Sequence, residues 1–193
     1  MHYKQSSKDN NCSMFRPTMW DRRFIDLTNL IATWSSCLRR NVGAVIVKNK
    51  RVIATGYNGA PQQIDSCVRL GTCVRQNVES GTKQELCRAV HAEQNAIAQA
   101  ARLGISIEGA TLYCTHKPCV TCTKIIVNSG IKRVVYVNDY PDELADKMLE
   151  ESPLEVCYYD TFYNDKLNDA QDVDDLQLCL NDTEPDYFDG GNS

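Results

Sequence analysis

The chain has 193 residues, 42% of them hydrophobic and 24% charged, which suits one domain with a full core and excludes the polar bias of a disordered protein. No apolar run is long enough to cross a membrane, and the polar opening MHYKQSSKDNN has no signal-peptide core, so a cytoplasmic location and no membrane partner are expected. In that compartment the ten cysteines read as reduced thiols and metal ligands rather than disulfides.

The net charge of -4 hides a division. Up to Asn138 there are 19 Lys and Arg against 8 Asp and Glu, whereas from Asp139 onward there are 2 against 17. A basic front suits the phosphate of a nucleotide or nucleic acid, and an acidic back repels a long polyanion. Two solvated faces that partly neutralise each other explain the same division.

Taken in order, residues 1–17 show no periodicity and read as a flexible N-terminal arm. Thr18 with Asp21 resembles an N-cap pair, and Phe24, Leu27, Ile31, Trp34 and Leu38 recur at helical spacing, so a helix with a core-facing stripe is expected over about 19–37. Val42 to Val47 and Val52 to Tyr57 are β-rich runs around the polar Lys48-Asn49-Lys50-Arg51, the pattern of an antiparallel hairpin. Gly56-Tyr57-Asn58-Gly59-Ala60-Pro61 ends the second run, either as a plain turn or as part of a site.

Residues 62–90 form a long insertion holding Cys67, Cys73 and Cys87. A loop of that length within a compact domain is usually functional or tied down. With Cys37 as a fourth thiolate, a closed structural zinc site would tie it down; four free cysteines are the alternative.

His91 opens a helix to about Leu103 with a small-residue face at Ala92, Ala96 and Ala100 and a stop at Gly104. A strand at Ala110 to Thr115, a helix at Cys119 to Ser129, an apolar strand at Ile131 to Val137, a helix from Pro141 and a strand at Leu154 to Tyr159 follow. The order ββαβαβαβ behind a leading helix indicates an α/β sandwich spanning residues 18–159. Residues 160–193 form an acidic C-terminal tail.

The chemistry concentrates in His91-Ala92-Glu93 and Pro118-Cys119-Val120-Thr121-Cys122. One imidazole and two thiolates leave the fourth position of a tetrahedral zinc free for water, as a catalytic site requires. The cysteines, at i and i+3, share a helix face, with Pro118 suited to the first turn. Glu93, two positions from His91, does not share its face on a helix and reads as a general base beside the metal rather than a ligand. A CxxC beside a βα unit is also the pattern of a redox dithiol, and a lone histidine is often a core residue; HAE upstream of PCxxC favours the metal.

These residues carry a resemblance. HxE with PCxxC marks the zinc-dependent cytidine deaminase superfamily. VGAVIV at 42–47, GYNGAP at 56–61, CRAVHAEQNAI at 87–97, EGATLYCTHKPCVTC at 108–122 and SGIKRVVYV at 129–137 together resemble its deoxycytidylate (dCMP) deaminase branch. The resemblance implies a three-layer α/β/α sandwich with a mixed five-stranded sheet, and hydrolytic deamination of dCMP to dUMP; the substrate is either dCMP alone or dCMP together with its di- or triphosphate, dCTP. It implies catalytic zinc on His91, Cys119 and Cys122, Glu93 as proton shuttle, Asn58 on the sugar and Ala92 near the base.

It also implies a structural zinc with Cys37 and Cys67 among its ligands, to which Cys73 and Cys87 are added from proximity in sequence. A homo-oligomer, in many members a hexamer, activated by dCTP and inhibited by dTTP, is implied as well, with Arg102 at a regulatory or subunit contact. Gln99 departs from the aromatic that would pack on an effector base. Arg39, Arg40 and Lys117 are the candidates for the substrate phosphate because they flank the expected pocket. A tRNA adenosine deaminase or a non-catalytic zinc-binding module are the alternatives, and the acidic tail argues against nucleic acid.

Overall fold

The computed structural model describes residues 18–160. The expected arm at 1–17 and nearly all of the acidic tail lie outside the described residues.

Thr18 caps the first helix, α1 (Met19–Ala32), in a reciprocal box: Thr18 Oγ1 accepts from the Asp21 amide at 3.2 Å, and the Asp21 carboxylate accepts from the Thr18 amide at 2.8 Å. The helix stops at Ala32, five residues short of the expected end. Thr33 bonds back to the Leu30 carbonyl and Ser35 bonds to that of Asn58, so these hydroxyls compete with helical hydrogen bonding. Trp34 and Leu38 consequently leave the stripe and are exposed, while Phe24 and Ile31 are buried as expected.

Strands β1 (Gly43–Lys48) and β2 (Arg51–Tyr57) form the antiparallel hairpin, with Asn49 and Lys50 at positive φ in its two-residue turn. A short helix α2 (Cys67–Leu70) and a single 3-10 turn (Gln84–Leu86) punctuate the insertion. Then come α3 (Ala92–Leu103), β3 (Thr111–His116), α4 (Val120–Asn128), β4 (Arg133–Asn138), α5 (Glu143–Glu151) and β5 (Glu155–Tyr158). The strand order is β2-β1-β3-β4-β5, antiparallel through β3 and parallel from β3 to β5, where helices α4 and α5 make the crossovers that parallel neighbours need. The mixed five-stranded sheet is as expected.

Alternation along the central strands sorts two cores. Ala44, Ile46, Leu112 and Val134 face α3, α4 and α5, packing on Ala92, Ala96, Ile126 and Leu149. Val45, Val47, Tyr113 and Val135 face α1, packing on Phe24, Ile25 and Ile31. The molecule is therefore three-layered. β4 departs from the expected apolar run: Val134 and Val135 are buried, but Tyr136 to Asn138 are not, because the sheet end is left open beyond the helices. Among the described residues no helix is long and apolar enough to cross a membrane.

Candidate active site

Two helix beginnings meet at the open end of β3. His91 is the N-cap of α3 rather than its first helical residue, and its amide donates to Gln94 Oε1 at 3.1 Å. Cys119 is the N-cap of α4, and Cys122 lies in that helix's first turn. Asp142 pins the arrangement: one carboxylate oxygen accepts from the Val120 amide at 2.9 Å and the other from the Ala145 amide at 3.1 Å, so one side chain caps both α4 and α5. Its position after Pro141 and before a helical run was the available sequence signal for this tie.

His91 Nδ1 lies 3.3 Å from Cys119 Sγ and 3.4 Å from Cys122 Sγ. A tetrahedral zinc with ordinary Zn–S and Zn–N bond lengths places such atoms about 3.6 Å apart, so the three side chains fit the ion. All three ligand atoms fall within 4.8 Å of one another, and no other His, Cys, Asp or Glu group among the described residues does so. The electrostatics suit metal binding. A hydrogen bond from Cys122 holds the Cys119 thiol far below the usual range, at about 4, with the His91 imidazole adding to the effect. The same contact and burial push the Cys122 thiol up, so that binding a metal there releases its proton, and the hydrogen bond to Cys119 pushes the His91 pKa upward against the effect of burial.

Glu93 is 4% exposed in the first turn of α3. Burial raises its pKa, opposed by the charge of the nearby imidazole. The sequence argument placed Glu93 and His91 on different faces of one helix, but His91 stands outside the helix as its cap: its ring turns to the cysteines, while Glu93 lines the same pocket from the helix itself.

These groups open into a pocket with about 930 Å³ of empty space, its mouth included. Asn58 and Ala92 line it, both buried. Asn58 Oδ1 accepts from the Val42 amide and Nδ2 donates to the Arg40 carbonyl, each at 2.8 Å, so its amide also holds residues 40–42 against the end of β2. Lys117 lines the pocket too, yet its ammonium sits 2.7 Å from both Asp139 and Asp146. Two carboxylates thus neutralise a cation that sequence position offered for phosphate, which corrects that expectation. Arg40 lies over the Tyr140 ring and Arg39 donates to the Val78 carbonyl. Arg75, which sequence reasoning passed over, is buried in the pocket wall.

Cys37, Cys67, Cys73 and Cys87 all line this pocket, and burial together with the neighbouring thiols pushes the Cys67 pKa up. They are gathered on one side, though not as tightly as the His91 cluster. Cys37 lies beyond the end of α1. Arg102 is exposed in the last turn of α3, bonded to Gln62 Oε1 at 3.3 Å, away from the pocket lining. Gln99 accepts the Thr55 amide at 2.8 Å and so closes a backbone donor on the edge strand β2.

Residues 18–138 match the family model described as the cytidine and deoxycytidylate deaminase zinc-binding region. The chain belongs to this deaminase family. Within it, the chain is 42% identical over 144 residues to the deoxycytidylate deaminase of Saccharomyces cerevisiae, an alignment covering 74% of this chain and 45% of that protein. It thus spans less than half the length of that yeast deaminase. The deoxycytidylate deaminase of Mycobacterium phage D29 is 43% identical over 132 residues, covering 64% of this chain and 97% of the phage protein. Among solved structures, the dCMP deaminase from cyanophage S-TIM5 in complex with dCMP and dUMP superposes with a TM-score of 0.63 at 30% identity, covering 76% of this chain and all of that one. Strands β1 to β4 and the signature residues at 91, 93, 119 and 122 lie within the family match, which ends at Asn138 before β5.

Proposed function

We propose that this chain hydrolyses dCMP to dUMP and ammonia, supplying dUMP for thymidylate synthesis. The observation that carries the reading is the convergence of His91, Cys119 and Cys122 to within zinc-binding distance beside a buried glutamate, in a pocket whose wall is rich in arginine. Relatives named deoxycytidylate deaminases and a dCMP- and dUMP-bound neighbour support the substrate.

A zinc ion held by these three side chains would make a water nucleophilic at neutral pH. Glu93 moves the protons: its carboxylate takes one from the attacking water and delivers it to ring N3, then takes the second from the hydroxyl now on C4 and passes it to the amine, which leaves as ammonia as the C4 carbonyl forms. Burial suits it to the first transfer, since a carboxylate with a raised pKa is a stronger base towards the water than an exposed one. Ala92, at the helix start with no exposed surface, leaves room for the base, and Asn58 offers its remaining amide capacity to the sugar.

The proposal has finer parts. A second, structural zinc on Cys37, Cys67, Cys73 and Cys87 is supported by the four thiols facing one pocket, and its formation requires them to draw together. Activation by dCTP, inhibition by dTTP and a hexameric assembly involving Arg102 rest on the family resemblance, and a cytoplasmic location rests on the composition of the sequence.

The test is ammonia release from dCMP, dCTP, deoxycytidine, cytidine and a short adenosine-containing RNA, with Glu93→Gln as the blank. Turnover of dCMP is the expected result, and turnover of dCTP as well would widen the substrate class. Turnover of the RNA alone would replace the proposal with nucleic-acid deamination, and silence on all five, with zinc bound, would leave a binding module.

A further inference from the structure

The insertion between β2 and α3 forms one wall of the pocket that holds Glu93, and it buries a cation there. Only 8% of Arg75 is exposed. Its Nη2 donates to the Thr82 carbonyl oxygen at 2.7 Å, which fixes the guanidinium, while its Nε–H is enclosed without a hydrogen-bond partner. No carboxylate among the described residues pairs with it. A buried guanidinium with an open donor is costly unless an anion completes it.

The other basic residues of the pocket are differently placed. Lys117 is neutralised by Asp139 and Asp146. Arg40 spends its cationic face on the Tyr140 ring and donates to Ser80 Oγ at 3.4 Å, and Arg39 is exposed. The single carboxylate lining the pocket is Glu93. Positive charge is therefore in surplus in this pocket, and the buried, backbone-anchored part of that surplus is Arg75. A planar guanidinium fork held in place matches phosphate oxygens and loses little further entropy on meeting them.

We propose that Arg75 selects a nucleotide over a nucleoside, its guanidinium receiving phosphate oxygens of the substrate whose base is presented to Glu93. This rests on the deaminase reading given above. Arg75 touches the phosphate and not the reacting atoms, so it acts on specificity and not on the chemical step.

Zinc-loaded wild-type protein and the Arg75→Gln variant are compared in ammonia release from dCMP and from deoxycytidine. In parallel, the thermal shift produced by millimolar inorganic phosphate is measured on both. The expected result is a rise in KM for dCMP of about 10- to 100-fold, with less than about a twofold change in kcat/KM for deoxycytidine. Phosphate should raise the Tm of the wild type and not that of the variant. Equal losses on both substrates, or an unchanged KM for dCMP together with an equal thermal shift in both proteins, would overturn the assignment. If the wild type deaminates neither compound, the deaminase reading fails on its own, and the phosphate shift still decides whether Arg75 is an anion site. Should Arg75→Gln fail to retain zinc, Arg75→Lys carries the same comparison, with a smaller loss confined to dCMP expected and an equal loss on both substrates overturning it.

Discussion

Gly56 lies so close to Ala92 that a methyl group on Gly56 would overlap the Ala92 carbonyl oxygen and the Ala96 backbone nitrogen. The end of β2 and the first turn of α3 thus meet backbone to backbone, and Asn95 Nδ2 reinforces the contact by donating to the Tyr57 carbonyl at 3.0 Å. This contact sets the depth at which His91 and Glu93 enter the pocket. Gly56→Ala should push α3 outward, lowering stability by roughly 1–3 kcal/mol and zinc affinity by about tenfold or more. Thermal unfolding and competition with a zinc chelator measure the two effects, and unchanged values in both would mean that the contact relaxes without moving the site.

Glu93→Gln keeps shape and hydrogen-bonding capacity but cannot carry a proton. It should retain zinc and fold while losing about 10²- to 10⁴-fold in kcat. Elemental analysis and single-turnover assays check this, and substantial residual turnover would assign the proton transfers to another group.

Two zinc ions per chain are expected in the wild type and one in Cys67→Ser, because the three ligands at 91, 119 and 122 do not depend on Cys67. Elemental analysis that finds one ion in both proteins would remove the second site.

Asp21 does more than cap α1. One carboxylate oxygen accepts from Tyr113 Oη at 2.7 Å and lies 3.1 Å from Arg133 Nη1, joining α1, β3 and β4 in the core opposite the active site. Burial, and after it the Asp21 charge, raises the Tyr113 pKa, which keeps the phenol a donor. Asp21→Ala would strand a buried hydroxyl and a largely buried guanidinium, and a loss of about 3–5 kcal/mol is expected in urea unfolding. A loss below about 1 kcal/mol would mean that Arg133 finds full compensation at Glu155, its other carboxylate partner.

Burial, followed by the charge of Arg40, pushes the His116 pKa down from 6.5 to about 4. The native imidazole therefore stays neutral between those values while the unfolded chain takes up a proton. Because the unfolded state binds more protons in that window, this contribution to stability is present above pH 6.5 and is lost as pH falls towards 4. A decline of order 1–2 kcal/mol is expected after allowing for partial solvent access. Urea midpoints from pH 7 to 4.5 should fall less steeply in His116→Gln than in the wild type, and parallel profiles would count against the assignment.

Much of the chain was legible before folding was considered. Period-two alternation in β1 and β3 and the small-residue face of α3 are local patterns, and they place Ile46, Leu112 and Ala96 in one core without knowledge of partners. The cluster of His91, Cys119 and Cys122 was equally legible, because HAE and PCxxC are short motifs whose chemistry depends on residue type and spacing. The end of α1 was misjudged since apolar spacing continues through Trp34 and Leu38, whereas the stop is made by hydroxyls that bond to the Leu30 and Asn58 carbonyls, the second of them 23 residues away.

By itself, then, the sequence determined the fold class, the candidate metal cluster of His91, Cys119 and Cys122 and the glutamate beside it, all consequences of local periodicity or close spacing. Only the tertiary structure decided which cations in the pocket are left without a carboxylate partner. Lys117 and Arg75 look alike in sequence, both basic residues near chemistry. Folding brings Asp139 and Asp146, more than 20 residues away, onto Lys117 and cancels its charge, whereas it encloses Arg75 with one backbone oxygen and leaves its Nε unpaired. The field at a site is the sum over groups from many elements, and that sum is set by packing rather than by position along the chain.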